Sequence, residues 1–194
     1  MARKGPVTKD TTTIALGLAQ IRVLESATNI ASVDAVGSSS DSIGSLASTK
    51  FTGSAEYYNL EGGFPLIPEF TTAIREAASM ECSWRELTPF NVAMSYGIDP
   101  TSGYDAAHSG EVALGGRVAP AYVRMEALYT YPDGTSKMHI IFPRAQVKSS
   151  LELDLQSEDS VAVPVTFEAM NASSDVSGGD AAWDDKPLGR IYWE

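Results

Sequence analysis

Side chains able to do acid–base, nucleophilic or metal chemistry are sparse in this chain, which has one cysteine, Cys82, and two histidines, His108 and His139. Neither histidine sits in a zinc-ligand pattern such as His-Glu-x-x-His. His108 lies in a glycine-rich stretch and His139 on the outward phase of an alternating run, so both read as surface residues. Cys82 shares its phase with Ala78, Met80 and Trp84, which places it in a core where a thiolate is disfavoured. There is no Gly-x-Ser-x-Gly elbow, phosphate-cradling loop or dinucleotide fingerprint. Asp175, Asp180, Asp184 and Asp185 crowd the stretch 171–186. They lack the one-in-two ligand spacing of a calcium loop and read as a solvated acidic loop. The motif Asn171-Ala172-Ser173 matches a glycosylation sequon without any secretion signal to give it meaning. No catalytic residue, cofactor or metal is assigned, and the chain is not expected to be an enzyme.

What must position these side chains is a single domain spanning 1–194, of ordinary globular composition, with 43% hydrophobic and 20% charged residues. A lone cysteine leaves packing, not disulfides, to hold the fold. The formal net charge is −11, and the fourteen Lys and Arg are scattered, so the surface repels phosphates and specific nucleic-acid binding is not expected. No apolar run is long enough to span a bilayer, and Met1-Ala2-Arg3-Lys4-Gly5 leads into threonines instead of a signal sequence. A soluble, unexported protein is expected.

Period-2 alternation dominates. It predicts strands over Ala78 to Arg85, over a run centred on Met138, Ile140 and Phe142, over Leu151, Leu153 and Leu155, and over Val161 to Phe167. Pro164 inside the last suggests an edge or a bulge. Tyr131-Pro132-Asp133-Gly134 predicts the turn of a hairpin between Val123 to Tyr131 and the Met138 run. Further strands are expected at Thr13 to Leu24, Phe51 to Leu60 and Ile67 to Ile74. One helix is signalled, with Thr88 as N-cap, Pro89 at the first position, apolar Phe90, Ala93 and Met94, and Gly97 as terminator. The expected fold is mainly β, a β-sandwich or barrel with one short flanking helix. Unassigned are an N-terminal arm, 1–12, and long loops at 26–49, 99–120 and 171–186; loops of that length commonly have a use.

The run Met80-Glu81-Cys82-Ser83-Trp84-Arg85-Glu86-Leu87-Thr88-Pro89-Phe90-Asn91-Val92-Ala93-Met94-Ser95-Tyr96-Gly97 resembles the strand-to-helix core of bacteriophage major tail tube proteins. Phe142-Pro143-Arg144-Ala145-Gln146-Val147, the Leu151 to Leu155 segment, Val165-Thr166-Phe167-Glu168-Ala169 and Pro187-Leu188-Gly189-Arg190-Ile191 are similar, in that order, to the family's closing sheet. Gly53 to Phe70 looks like its preceding strand pair. The resemblance implies a structural subunit of a virion tail, made in the host cytoplasm. Its copies would assemble into rings, usually hexameric, whose sheets join around a lumen, and the rings would stack into a tube for genome delivery. It implies as partners the chain itself, a tape-measure protein, a tail terminator and baseplate or tail-tip proteins, with DNA passing through without specific binding and no membrane contact. By position, residues 1–12 and 26–49 correspond to the family's ring-bridging parts. Glu81, Glu152 and Asp154 are candidate lumen residues. The inner tube of a contractile tail, a tailocin or a secretion apparatus shares this architecture. A β-barrel ligand-binding module lined by Trp84, Tyr122, Tyr129 and Phe142 is the competing class.

Overall fold

The computed structural model describes residues 17, 19–98, 110–115, 119–148, 151–153 and 161–194. Their strands are β1 (Gln20–Glu25), β2 (Leu46–Gly62), β3 (Ile67–Trp84), β4 (Tyr122–Thr130), β5 (Lys137–Val147), β6 (Val163–Ala169) and β7 (Arg190–Trp193). All belong to one antiparallel sheet in the order β1-β4-β5-β6-β3-β2, with β7 pairing β5. The fold is mainly β with a short helix, as the alternation requires. Ser42 bridges to Arg22, and the Ile43 amide donates to the Ile21 carbonyl at 3.1 Å. The segment entering β2 thus reaches β1, at the far end of the strand order, and the sheet curls toward closure.

Inside the curl lie Ile21, Val23, Met80, Cys82, Trp84, Met125, Phe142, Val165 and Phe167, all buried and in one apolar cluster. The inward phases read from the sequence are those observed: Met80, Cys82 and Trp84 are buried while Glu81 and Arg85 are exposed. The helix α2 (Pro89–Ser95) starts where the Thr88 hydroxyl accepts from the Asn91 amide at 3.1 Å. It ends at Gly97, whose φ of +75° lets its amide return to the Met94 carbonyl at 2.9 Å. The β4–β5 turn closes as expected, with Gly134 at φ +72° donating to the Tyr131 carbonyl. Asp133 accepts from the Thr135 and Ser136 amides and from the Ser136 hydroxyl. These bonds, the Ser136 hydroxyl's foremost, hold its carboxyl below the usual carboxylate range.

Four expectations need correction. The stretch 26–49 is not one loop: it holds α1, a single turn (Ser26–Asn29), a 3-10 turn (Ser39–Asp41) and the start of β2. The two strands expected at Ile67 to Ile74 and Ala78 to Arg85 are one, β3, of 18 residues. Among the described residues of the expected Leu151 to Leu155 strand, 151–153 are not in a strand, and Leu155 lies outside them. His139 is not a surface residue but 6% exposed, stacked on Tyr192 with ring centroids 4.7 Å apart. It does face outward from the sheet, but β7 pairs alongside β5 and its Tyr192 covers the imidazole.

The same covering explains the acidic stretch 171–186. Trp183 is fully buried against Ile141 on the outer face of β5, with Ile30 and Val33 of the 26–38 segment packed beside it. Asp180 caps the Ala182 amide, and Asp184 accepts from the Ser174 amide and hydroxyl, both at 2.9 Å. These Ser174 bonds hold the Asp184 carboxyl low, the amide's effect being the larger. Pro164 sits where β6 has only β3 beside it among the described residues, because β5 pairs β6 from Phe167 onward. The proline therefore occupies a locally open edge. The Thr13 to Leu24 strand is seen as β1, with Leu16 and Leu18 outside the described residues, as are His108, Asp154, the arm 1–12 and most of 99–120.

Candidate assembly surface

The feature that sets this fold apart from a closed barrel is the β2–β3 hairpin. Only Ser79 to Trp84 of β3 pair with β6, so from Ala78 to the tip the two strands have only each other among the described residues. From Ala78 to Ile67 the ribbon runs about 36 Å at a strand's usual rise. Every residue from Phe51 to Glu61 and from Gly63 to Ala77 is exposed. A two-stranded ribbon without a third strand or a covering layer is marginal in water.

Its composition is not that of a solvated ribbon. Cross-strand partners share a face, so the register puts Tyr58 with Thr72 and Leu60 with Phe70 on one side, and Tyr57 with Ala73 and Asn59 with Thr71 on the other. The Thr71 hydroxyl donates to Asn59 Oδ1 at 2.8 Å across that second face. Irregularities between Glu56 and Tyr57 and between Leu60 and Glu61 shift the register on the way to the tip. At the end stand Phe64, fully exposed, with Leu66 and Ile67 at 68% and 60%. An apolar cluster this large on an exposed element marks a site of association. The ribbon also carries two open backbone edges among the described residues, that of β2 and that of β3 below Ser79. Glu56, Glu61, Glu69 and Glu76 against Arg75 leave it net acidic.

At the base of the ribbon, β6 ends at Ala169, and farther down the same flank of β5 its place is taken by β7. Between the ribbon and β7 opens an apolar recess of about 150 Å³, with Phe51 and Ala78 on one wall, Leu188 and Ile191 on the other, and Ile140 and Phe142 at the floor. Gly189, at φ +129°, lets β7 come in so closely that a Cβ there would stand 2.0 Å from the Ile141 carbonyl oxygen.

The segment 26–38 is held to its own subunit. Arg124 and Glu126 lie on the outer face of β4 and pair at 2.7 Å with side chains 0% and 2% exposed. Arg124 donates to the carbonyls of Asn29, Ser32 and Asp34, each at 2.8 Å. Glu126 accepts from the amides of Val36 and Gly37 at 2.9 and 2.8 Å. One buried ion pair thus supplies hydrogen-bond partners to five backbone groups of 29–37, two of which, the Asn29 and Asp34 carbonyls, also accept from Ser32. Residues 29–37, part of the 26–49 stretch expected to bridge rings, are strapped to their own subunit.

The remaining expected positions fall as follows. Cys82 is buried, and its thiol is pushed up to about 12 by loss of solvation. Glu81 is exposed on the outward face of β3, 3.3 Å from the Lys50 ammonium, and Glu152 is also exposed. Trp84 and Phe142 fill the core, Tyr129 is buried edge-on to Tyr131, and Tyr122 lies half-open under the Arg144 guanidinium at 3.8 Å. Of the four, Phe142 also lines the recess beside β7 that Phe51 and Ile191 border. The Lys137 ammonium, with His139 Nε2 at 3.3 Å behind it, holds the Glu194 carboxyl below the usual range. Among the described residues no three His, Cys, Asp or Glu side chains gather as a metal would need, and no helix is long and apolar enough to cross a membrane.

Sequence reasoning missed Arg124, Glu126 and Phe64. The signal for the ribbon was present: Phe51, Tyr57, Tyr58 and Leu60 do not alternate, so no single sheet face can bury them. No protein-family model matches the chain, and comparison with curated proteins gives no match.

Proposed function

We propose that this chain is the subunit of a tail tube of a long-tailed bacteriophage or phage-like particle, built from stacked rings of the chain itself. The observation that carries this reading is the β2–β3 ribbon, which is apolar on its tip and, among the described residues, open at both edges and without a covering layer. No described residue covers this ribbon, and meeting another molecule would bury it. Repeated copies related by rotation offer each other the same edges, and a closed ring leaves no edge exposed to uncontrolled addition. The resemblance stated above supplies the specific assembly. The bridging role expected of residues 26–49 passes in this reading to the ribbon, which is long enough to leave its own subunit. The acidic balance keeps the tube from holding a passing polyanion, since each cation on a wall would add a salt-dependent well.

Negative-stain electron microscopy over a concentration series, with mass from light scattering, tests the proposal. Hollow tubes or rings of uniform width are expected. A strictly monomeric particle at every concentration, also in the presence of preformed tail tips, would refute it.

A further inference from the structure

We infer that Phe64, at the tip of the β2–β3 hairpin, seats in the apolar recess between hairpin base and β7 of a second copy of this chain. The inference rests on the self-association proposed above and names the contact that fixes it.

Three features on one molecule lead there. Phe64 is the one large apolar side chain among the described residues with no shielding at all, at 103% of its reference exposure. The recess is lined by Phe51, Ala78, Ile140, Phe142, Leu188 and Ile191, with Gly189 and Arg190 between the last two, is predominantly apolar, and measures about 150 Å³. A cavity of about 150 Å³ with Leu, Ile and Phe walls takes up benzene, and Phe64 ends in a benzyl group. The third feature is reach. The recess lies at the root of the same ribbon, about 36 Å of strand from the tip, so a straight ribbon cannot fill its own recess. A second copy presents the same root to the first one's tip.

The surroundings agree with an apolar guest. Ile191 is 40% exposed and Trp193 62%, and both project on the side of β7 that adjoins the recess floor, opposite Ile140 and Met138. Leu66 and Ile67, next to Phe64, would come down on this rim. An aromatic anchor in a pocket with a surrounding apolar rim is the arrangement in which few residues dominate association.

The closing experiment uses the full chain. Phe64→Ser should fold with unchanged thermal stability, because its side chain is fully exposed among the described residues, yet need on the order of ten- to a hundredfold more protein to assemble. In parallel, Phe64→Cys protein mixed with Ile191→Cys protein under mild oxidation should give disulfide-linked dimers. Mixtures of Phe64→Cys with Ser177→Cys, on the outer cover, should not. The buried Cys82 stays out of the reaction. Phe64→Ser assembling at the wild-type concentration would overturn the seat while leaving the tube reading intact. So would an Ile191→Cys thiol shielded from alkylation in the dilute subunit, which would show that the chain's own residues cover the recess. A wild-type protein that never self-associates would sink both.

Discussion

Glu126→Ala is the sharpest single test of how this fold is held. The substitution leaves the Arg124 guanidinium buried without its counter-charge and strips the Val36 and Gly37 amides of their acceptor. Removing one partner of a buried ion pair costs about 3–5 kcal/mol, most of it from the charge left behind. For a chain of this size each kcal/mol moves Tm by about 2–4 °C, so a fall of about 6–20 °C is expected. Urea unfolding followed by tryptophan fluorescence reads it directly, because Trp183 packs on the same strapped segment and its indole donates to the Ile30 carbonyl. The double variant Arg124→Met, Glu126→Leu separates two explanations. Buried pairs can often be exchanged for apolar residues at no cost, but here the exchange would take one donor each from the Asn29 and Asp34 carbonyls and leave the Ser32 carbonyl and the Val36 and Gly37 amides without their side-chain partners. The double variant should therefore remain well below wild type. A Glu126→Ala cost under about 1 kcal/mol, the range of exposed pairs, or a double variant as stable as wild type would refute the strap.

Other expectations follow from single contacts. Replacing residues 55–76 by an Asn-Gly turn should leave a folded monomer with wild-type Tm but no tubes, since none of the excised residues is buried; loss of the cooperative transition would show that the ribbon belongs to the core. Gly189→Ala should cost about 1–3 kcal/mol in backbone strain alone, and hydrogen exchange should show β7 released from β5. Native Cys82 should resist alkylation at pH 8 and label only at the rate of unfolding, given a thiol held near 12. Asp133, Asp184 and Glu194 have folded pKa values below the ordinary 3.8 and 4.5. Their stabilisation is therefore complete above those values and is lost as pH falls through the depressed ones. The urea midpoint should hold at pH 6–7 and drop below about pH 4, with a shallower drop in Asp184→Asn; an unchanged profile would remove Asp184 from the account.

The inward phases of β3, β5 and β6, the α2 caps and the β4–β5 turn were legible because each depends on local spacing: side chains alternate, Thr88 precedes Pro89, and Asp133 precedes Gly134. The outer face was not legible, for a physical reason. Arg124, Glu126 and His139 occupy outward phases as alternation requires, yet are buried because segments distant in sequence, 29–37 and β7, lie over them. Alternation reports direction, and covering is a long-range event. The length of β3 was hidden in the same way, since the charged and small residues Arg75, Glu76 and Ala77 interrupt the apolar pattern without interrupting the strand.

The ribbon has a kinetic consequence. None of its side chains between Thr52 and Ala77 is buried, so among the described residues the ordering of this part rests on its own ladder and the Thr71–Asn59 bond, and the remaining entropic cost falls on whichever encounter captures it. The first encounter bears that cost for both molecules, whereas addition to an end already ordered bears it once. Growth should then show a lag that preformed ends abolish, and subunits should stay dispersed at concentrations where an existing end continues to elongate.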